Sequence, residues 1–574
     1  MKIYYKVNDN TSIDIKERSE SDVEFYDISI KFDTPAVPSP IKFSFKPDVH
    51  DLYSVFSPAA DGRRNLEPSW RTNKVSARLA FNAPVISAVT REGLNGITLA
   101  LSDAKIPTEL SVGMIEETGG PICTVTLFSS PISKTDSFSV TLRVDRRRIR
   151  YEGAIASTVD WWEHTCGYTP APVPNDATLP MNSAWYSYHQ EIDVEDIISE
   201  CELSKPLGMQ TLILDDGWQT EDISHGYAYC GDWRLCKKKI PDMRAFVDRV
   251  HAIGMKFMLW YSVPYVGIHS EAFVRFRDML LDYDEKKKWF CLDPRFPEVR
   301  QYLTDIYVTA LREWDLDGFK LDFIDAFILT SSSAEYNSGR DTESLEDALD
   351  MLLSEVYTSL SAIKPDIMIE FRQRYIGPTV RKYGNMLRVR DCPADPLLNR
   401  YAIADLRLTS GKTAVHSDML LWKYDATVEE AATALVSVLY SVPQISMKLK
   451  ALPEEHLRML KFYLSFIREN RDVLLFGSFT ADNPETHYSR ISASNNGKTI
   501  TTLYDNRLAA VPDDFTSYTV VNGTAYTELV IDAKTDIAGE IINCMGEHVE
   551  RVDLKRGLNR VGVPRCGIIV LKKE

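Results

Sequence analysis

Acidic side chains end or follow several short apolar segments in the central part of the chain. MQTLILD ends in Asp215 and is followed by Asp216, GFKLDF contains Asp322 two residues after Lys320, and NMLRVRD ends in Asp391. Carboxylates that meet at one site do two kinds of chemistry well. They bind a divalent metal ion, or they cleave a glycosidic bond, where one carboxyl group protonates the leaving oxygen and the other stabilises or attacks the anomeric carbon.

The neighbouring residue types favour the second chemistry. Metal sites more often bring histidines at close spacing, as in H-E-x-x-H, and here His416 is a lone histidine near the end of TAVHSD. Tryptophan stacks on the apolar face of a sugar ring, and Trp218 and Trp260 accompany the acidic residues. We therefore expect a glycosidase site with no metal and no cofactor, while a metal-dependent barrel hydrolase stays open as an alternative.

Short apolar segments that alternate with helical patterns supply the elements that must position these residues. The eight candidate strands are SAWYSYH (183–189), MQTLILD (209–215), KFMLWY (256–261), GFKLDF (318–323), IMIEFR (367–372), NMLRVRD (385–391), TAVHSD (413–418) and PQISMKL (443–449). Eight βα units predict a (β/α)8 TIM barrel, whose functional residues lie at the carboxyl ends of the strands.

The segments on both sides of this region predict β-domains. Short β-rich segments separated by turn residues indicate an N-terminal β-sandwich over residues 1–165, and the Pro-rich segment 166–180 predicts a linker. The barrel is expected over 181–472. Asn-Gly turns and further short strands indicate a C-terminal antiparallel β-sandwich over 473–574.

The composition narrows the possible partners. The formal net charge is −16, with 66 Lys and Arg against 82 Asp and Glu, and an acidic surface repels phosphate backbones and anionic lipids. We expect no nucleic acid and no membrane as partners, and a neutral substrate; a homo-oligomer stays open. The N-terminus MKIYYKVNDNTSIDI has no apolar region of signal-peptide length, which favours a cytoplasmic location.

Several motifs occur together and in order: LDDGWQ, then GDW (231–233) ahead of KKKIPDMRAFVDRVHAIGMKFMLWY, then CLDPRFPEVRQYL and DGFKLDF. In this combination the chain resembles the α-galactosidases of glycoside hydrolase family 36, which are melibiase-like. The predicted layout of β-domain, barrel and β-domain is similar to that of the family. The resemblance implies a retaining enzyme that removes terminal α-galactosyl residues by double displacement.

The resemblance also implies roles for individual residues. Asp322 corresponds to the nucleophile and Asp391 to the acid/base. The residues implied or expected to contact the sugar are Asp215, Asp216, Trp218, Trp260, Lys320, Arg372 and Arg388. In a retaining mechanism Asp322 stays ionised, helped by the Lys320 cation, whereas Asp391 holds a proton, so we expect burial to raise its pKa.

The chain also departs from the family pattern. Its nucleophile motif reads KLDFIDA where the family has K-W-D-M-N-R, and EFRQRYIGP replaces the family's C-S-G-G-G-x-R stretch near the 2-hydroxyl. Arg372, Gln373 or Arg374 are the candidates to replace it. The acid motif is also irregular, so Asp395 is an alternative to Asp391 as the acid. Strand alternation puts Arg388 and Asp391 on opposite faces unless a bend intervenes. A related α-glycosidase, a transglycosylase and a catalytically silent carbohydrate-binding barrel remain alternative functions.

Overall fold

The computed structural model describes residues 2–7, 10–58, 61–72, 74–329, 333, 339–505 and 508–573. Two β-domains flank a closed parallel barrel, which confirms the fold class predicted from the sequence. The exact domain boundaries stay a prediction. No helix in the described part of the chain combines the length and the apolar character that a membrane span requires.

The N-terminal domain is a sandwich of two antiparallel sheets. One sheet has the strand order Tyr4–Tyr5, Ile41–Phe45, Pro121–Leu127, Thr108–Met114 and Val75–Ala77. The other has the order Thr11–Glu20, Val23–Ala36, Thr135–Asp145, Asn95–Leu101, Val85–Thr90 and Leu52–Phe56. Alternate residues of both sheets, among them Phe43 and Leu99, form one apolar core between them.

A helix, Tyr151–His164, follows this sandwich within the region that the sequence predicts to be all-β. Its residues Tyr151, Ile155, Val159 and Trp162 are buried along one face, and their spacing of three or four residues is that of an amphipathic helix. The prediction for this stretch is wrong because the helical period is present in the sequence but is short and lies between β-rich segments and the Pro-rich segment.

Eight parallel strands close the barrel in chain order, the last pairing with the first. They are β1 (Met181–Ser183), β2 (Thr211–Leu214), β3 (Lys256–Ser262), β4 (Gly318–Asp322), β5 (Met368–Arg372), β6 (Met386–Arg388), β7 (Ala414–Leu420) and β8 (Val442–Ile445).

Helices cover the outside of the barrel. They are α1 (Val194–Leu207), α2 (Met243–Ala252), α3 (Pro297–Trp314), α4 (Leu345–Ile363), α5 (Pro396–Thr409), α6 (Val428–Ser437) and α7 (Glu454–Glu469). The connection after β5 contains a 3-10 turn, Val380–Lys382, where the other connections contain a longer helix. The shorter elements of the region are Asp176–Thr178, Trp185–Tyr188, Tyr265–Gly267, Glu271–Arg275, Trp289–Cys291, Ile324–Ala326, Leu449–Ala451 and Arg471–Leu474.

The alternation of side chains along each strand places the candidate site residues in the upper half of the barrel, at the carboxyl ends of the strands. Met258, Met368 and Met386 belong to an apolar cluster at the lower level. Trp260, Glu370 and Arg388 follow two positions later on the same faces, because successive side chains of a strand point to opposite faces. Gly318 takes part in the lower level, where a Cβ atom would lie 2.5 Å from the Met368 carbonyl oxygen. Glycine thus lets β4 approach β5 closely and sets the height of Lys320 and Asp322.

The first barrel strand differs from its prediction. SAWYSYH was expected to be extended, but the strand ends at Ser183 and Trp185–Tyr188 forms one helical turn. The high β-propensity of Trp and Tyr is overridden here, since propensity in strands reports packing on a sheet surface and this segment lies beyond the end of the sheet.

The C-terminal domain contains a seven-stranded and a three-stranded sheet. The first has the order Ser478–Asp482, Arg490–Asn495, Lys498–Leu503, Ser517–Asn522, Ile568–Lys572, Ile537–Ile542 and His548–Leu554. The second has the order Leu508–Ala510, Glu528–Ala533 and Gly557–Gly562. Most pairs are antiparallel, as predicted, and one pair in each sheet is parallel.

Candidate active site

Asp322 lies at the carboxyl end of β4 and is surrounded by hydrogen-bond donors. Its Oδ1 accepts from Arg372 Nε at 2.7 Å, from the Phe323 main-chain N–H at 2.8 Å and from the Tyr375 hydroxyl. Its Oδ2 accepts from the Trp260 indole N–H at 3.1 Å. Oδ1 is therefore saturated with donors, whereas Oδ2 keeps a lone pair for a further partner.

These neighbours hold Asp322 in its ionised form. Burial by itself raises the pKa of a carboxyl group, but the charges of Arg372 and Lys320 outweigh it. Hydrogen bonds from Tyr375 and Trp260 add to the effect, so the pKa of Asp322 lies well below its ordinary value. A buried carboxylate that stays charged is what a nucleophile requires.

Asp215 and Asp216 follow β2 and occupy different environments. Asp215 Oδ2 pairs with Lys320 Nζ at 2.6 Å. The Asp216 oxygens accept from the side-chain amides of Gln190 and Gln219, at 2.6 and 2.7 Å. Burial, together with the charge of Asp215, raises the pKa of Asp216 to about 6 although these hydrogen bonds lower it. Both carboxyl groups are thereby held in fixed orientations after β2.

Asp391 stands on the other side of the site from β4 and is held by two arginines. Arg388 Nη2 lies 2.8 Å from Asp391 Oδ1, and Arg372 Nη1 lies 3.9 Å from Asp391 Oδ2. Arg372 thus contacts both Asp322 and Asp391. The strand alternation that separated Arg388 from Asp391 does not apply, because β6 already ends at Arg388 and the chain bends before Asp391.

The expectation that burial raises the pKa of Asp391 is wrong for the sugar-free protein. Its side chain is 57% exposed. Partial desolvation raises the pKa, but the charges of Arg388 and Arg372 outweigh it, and the pKa of Asp391 lies below its ordinary value. A proton on Asp391 therefore requires further desolvation of its exposed carboxyl group, which a bound sugar would supply.

Asp395, the alternative acid, has a local role in the structure. It is the N-cap residue of α5, and its Oδ1 accepts from the Leu398 main-chain N–H at 2.9 Å. Asp395 is exposed and has no ion pair with Arg372 or Arg388. Capping of a helix is a common use of aspartate, which leaves Asp391 as the better placed carboxyl group.

The two tryptophans expected to contact sugar are buried. Trp218 is fully buried, stacks on Trp233 with ring centroids 5.8 Å apart and donates its N–H to the Trp260 carbonyl oxygen. The prediction of a substrate contact for Trp218 is therefore wrong. Trp260 is 2% exposed behind Tyr227, so it orients Asp322 through its N–H and offers no free face for a sugar.

Two residues beyond the sequence predictions contact the site. Tyr375 donates to Asp322, and Asp418, on β7, pairs with Arg388 and accepts from the Cys392 main-chain N–H at 2.6 Å. Asp418 ends a predicted strand, so its position was a usable signal. Tyr375 gave none, since it lies in a loop whose path no pattern predicts.

The polar residues lower in the barrel form a closed network of their own. Gln444 Nε2 donates to Glu370, and His416 Nε2 lies 2.8 Å from the Ala177 carbonyl oxygen. Burial lowers the pKa of His416 to about 4, so it is neutral. Across the described ranges, no group of three or more His, Cys, Asp or Glu side chains could hold a metal ion.

Comparisons with known proteins agree with this geometry. Residues 178–373 match the family model described as Melibiase. α-Galactosidase Mel36A of Lactobacillus acidophilus is 26% identical over 198 residues, which cover 32% of this chain and 26% of Mel36A. α-Galactosidase AgaA of Geobacillus stearothermophilus is 20% identical over 312 residues, 51% of this chain and 41% of AgaA. The chain thus aligns with less than half the length of either curated relative.

Solved structures show the same fold over nearly the whole chain. A variant of AgaA in complex with stachyose superposes with a TM-score of 0.67 at 15% identity, over 98% of this chain and 81% of that one. An α-galactosidase from Lactobacillus brevis gives a TM-score of 0.64 at 13% identity, over 99% of this chain and 85% of that one.

Proposed function

We propose that this chain, whose residues 178–373 match the melibiase family, is a retaining glycosidase that removes terminal α-galactosyl residues from oligosaccharides or glycosides. The observation that carries the proposal is the bridge of Arg372 between Asp322 and Asp391. It brings an ionised buried carboxylate and a solvent-accessible carboxyl group to one site, the pair that double displacement needs.

The two carboxyl groups divide the reaction between them. Asp322 Oδ2 attacks the anomeric carbon, the bond to the leaving oxygen breaks, and Asp391 gives its proton to that oxygen. Asp391, now ionised, then takes a proton from water, whose oxygen displaces Asp322 and releases the sugar with its α-configuration. Arg372 and Tyr375 stay on Oδ1 and keep Oδ2 pointed at the substrate.

The acidic residues after β2 support galactose as the sugar. Asp215, Asp216 and Lys320 present two carboxyl groups and an ammonium group at one side of the site, and such charged groups make strong hydrogen bonds to sugar hydroxyls. Structures of the related AgaA contain stachyose and raffinose, and we infer that this chain acts on galactose-containing oligosaccharides of this kind.

The test is hydrolysis of p-nitrophenyl α-galactoside by the wild type and by Asp322→Ala, Asp391→Ala and Asp395→Ala. We expect turnover to fall at least about a thousandfold for Asp322→Ala, because the variant has lost the nucleophile. Added azide then distinguishes the roles. It should replace Asp322 and give the β-galactosyl azide, and in Asp391→Ala it should give the α-galactosyl azide.

Two results would contradict the proposal: undiminished turnover in Asp322→Ala, or no turnover of the galactoside by the wild type. Azide rescue of Asp395→Ala in place of Asp391→Ala would reassign the acid. Analysis of the wild-type products at high sugar concentration separates hydrolysis from transglycosylation, because a transglycosylase transfers the galactosyl group to a second sugar.

A further inference from the structure

Two arginines share one phenyl ring where the N-terminal sandwich meets the barrel. The guanidinium carbons of Arg78 and Arg374 lie 5.0 and 5.5 Å from the centroid of the Phe81 ring. All three side chains are half-buried. A ring attracts a nearby cation by about 0.5–2 kcal/mol, and here one ring contacts two guanidinium groups.

Neither cation has a carboxylate partner among the described residues. Arg78 donates one N–H to the Asp325 main-chain oxygen at 2.7 Å, and its Nε is buried without an acceptor. The side chain of Arg374 has Phe81 as its neighbour and makes no hydrogen bond or ion pair within the described ranges. In a chain of net charge −16, two half-buried arginines that contact one ring and have no carboxylate partner in the described part of the chain are unexpected.

The acidic groups whose charges reach Arg78 are biased towards their neutral forms. These groups, Asp325 and Glu346, lie beyond ion-pair distance. Burial raises the pKa of Asp325, and burial also raises the pKa of Glu346 to about 7. Burial likewise lowers the pKa of Arg78, as expected for a cation that lacks a compensating anion.

The pair lies beside the proposed catalytic centre. Arg374 is two residues beyond Arg372, and its carbonyl oxygen accepts from the Asn82 main-chain N–H at 2.6 Å. Arg78 is bound to Asp325, three residues beyond Asp322. The pair therefore lies between the loops that follow β4 and β5, at the rim of the barrel mouth.

We propose that Arg78 and Arg374 bind an acidic group on the aglycone, so that the preferred substrate is an α-galactoside whose leaving group carries a phosphate or a carboxylate. Both groups accept the paired N–H donors of guanidinium. A galactosyl ring offers hydroxyls only, which assigns the acidic group to the aglycone. This inference rests on the proposed function, and it replaces the expectation that the whole substrate is neutral.

The test compares pairs of substrates that differ in one charge. Melibiose and melibionate share a galactosyl group and differ by a carboxylate, and galactosylglycerol and its phosphate differ by a phosphate. We expect the wild type to show a kcat/KM about tenfold higher for the charged member of one pair, the size of effect that a charge-assisted hydrogen bond gives. The substrate pair that shows this difference in kcat/KM identifies whether the anion is a carboxylate or a phosphate.

The ratio of the two kcat/KM values is the readout for variants, because it does not depend on how much enzyme folds. Arg374→Gln should bring the ratio close to one, Arg374→Lys should keep part of it, and Arg78→Gln should lower it. The control is Arg71→Gln, an exposed arginine of the same domain, for which we expect the wild-type ratio. Added salt should lower the ratio of the wild type.

Equal rates for both members of each pair in the wild type would overturn the inference, as would a preference that Arg374→Gln leaves intact; the two arginines would then serve only to dock the domains. The proposed function is tested separately by the neutral substrates. If none of them is hydrolysed, calorimetric titration with melibionate and with melibiose decides the inference, which predicts tighter binding of melibionate.

Discussion

Single side chains decide which oxygen of Asp322 can react. Three donors converge on Oδ1 and one on Oδ2, so the geometry of the attack depends on Arg372 and Tyr375 as much as on Asp322. The motif K-x-D alone is weak evidence, but together with its position at the end of a strand and the double Asp after β2 it predicted Asp322 and Lys320 as site residues. Tyr375 could not be predicted, because its contact with Asp322 depends on the path of the loop after β5.

Tyr375→Phe tests the hydrogen bond to Oδ1. The Tyr375 hydroxyl donates to Asp322 Oδ1 and holds the carboxylate ionised and in place, so its loss should lower kcat. A charge-assisted hydrogen bond of about 1.5–3 kcal/mol corresponds to a loss of about 10- to 100-fold in kcat. Tyr383→Phe is the control, since that hydroxyl contacts Asp350. An undiminished kcat in Tyr375→Phe would contradict the assigned role.

Asp216 should make substrate binding depend on pH. Its pKa is raised to about 6, so the carboxylate that accepts from sugar hydroxyls is present above that pH and is lost as the pH falls through it. We expect KM for p-nitrophenyl α-galactoside to rise below about pH 6. In Asp216→Asn the KM should be higher and should no longer change near pH 6; a KM in the variant that keeps the wild-type pH dependence would assign the titration to another group.

At the scale of single elements, the ends of strands and helices hold most of the site. The barrel strands and the order of their polar residues follow from alternation and spacing in the sequence. The positions at which those strands end do not follow from the sequence pattern. β1 ends at Ser183 and β6 ends at Arg388, because beyond these residues the packing of the loops above the barrel determines the backbone conformation. That is why the sequence left the bend that joins Arg388 to Asp391 as an open possibility.

At the start of α5, variants of Asp395 can distinguish a structural role from a catalytic one. Asp395→Ala removes the N-cap hydrogen bond to Leu398 and should lower the free energy of unfolding by about 1 kcal/mol, with turnover per folded molecule unchanged. Asp395→Asn keeps an acceptor and should restore stability. Chemical denaturation together with initial rates provides the measurement, and a large loss of turnover in Asp395→Asn would point to Asp395 as the acid.

At the scale of the whole molecule, a buried ion pair links all three domains. Arg64 of the N-terminal sandwich pairs with Asp405 on α5, and Asp405 accepts from the Tyr488 hydroxyl of the C-terminal domain at 2.5 Å. The sequence predicts the three domains but not these contacts, since residues more than 80 positions apart are joined by tertiary packing alone. The net charge of −16 likewise does not predict that Arg78 and Arg374 lie together at the rim of the barrel mouth.

Arg64→Met tests this linkage. The variant leaves Asp405 buried without its cation, a change that costs about 3–5 kcal/mol, and we expect a clearly lower Tm by calorimetry. The neighbouring Arg63→Met is the control, because Arg63 is exposed. Equal Tm values for the two variants would show that the Arg64 ion pair does not hold the domains together.

The central claim is that Asp322 forms a covalent bond with the sugar. A 5-fluoro-galactosyl fluoride traps such an intermediate, because the fluorine slows its hydrolysis more than its formation. Digestion and mass spectrometry should then find one added fluorogalactosyl group on the peptide that contains DGFKLDF, attached to Asp322, with activity lost in step. A label on Asp391 or on Asp325, or inactivation without any label, would contradict the account.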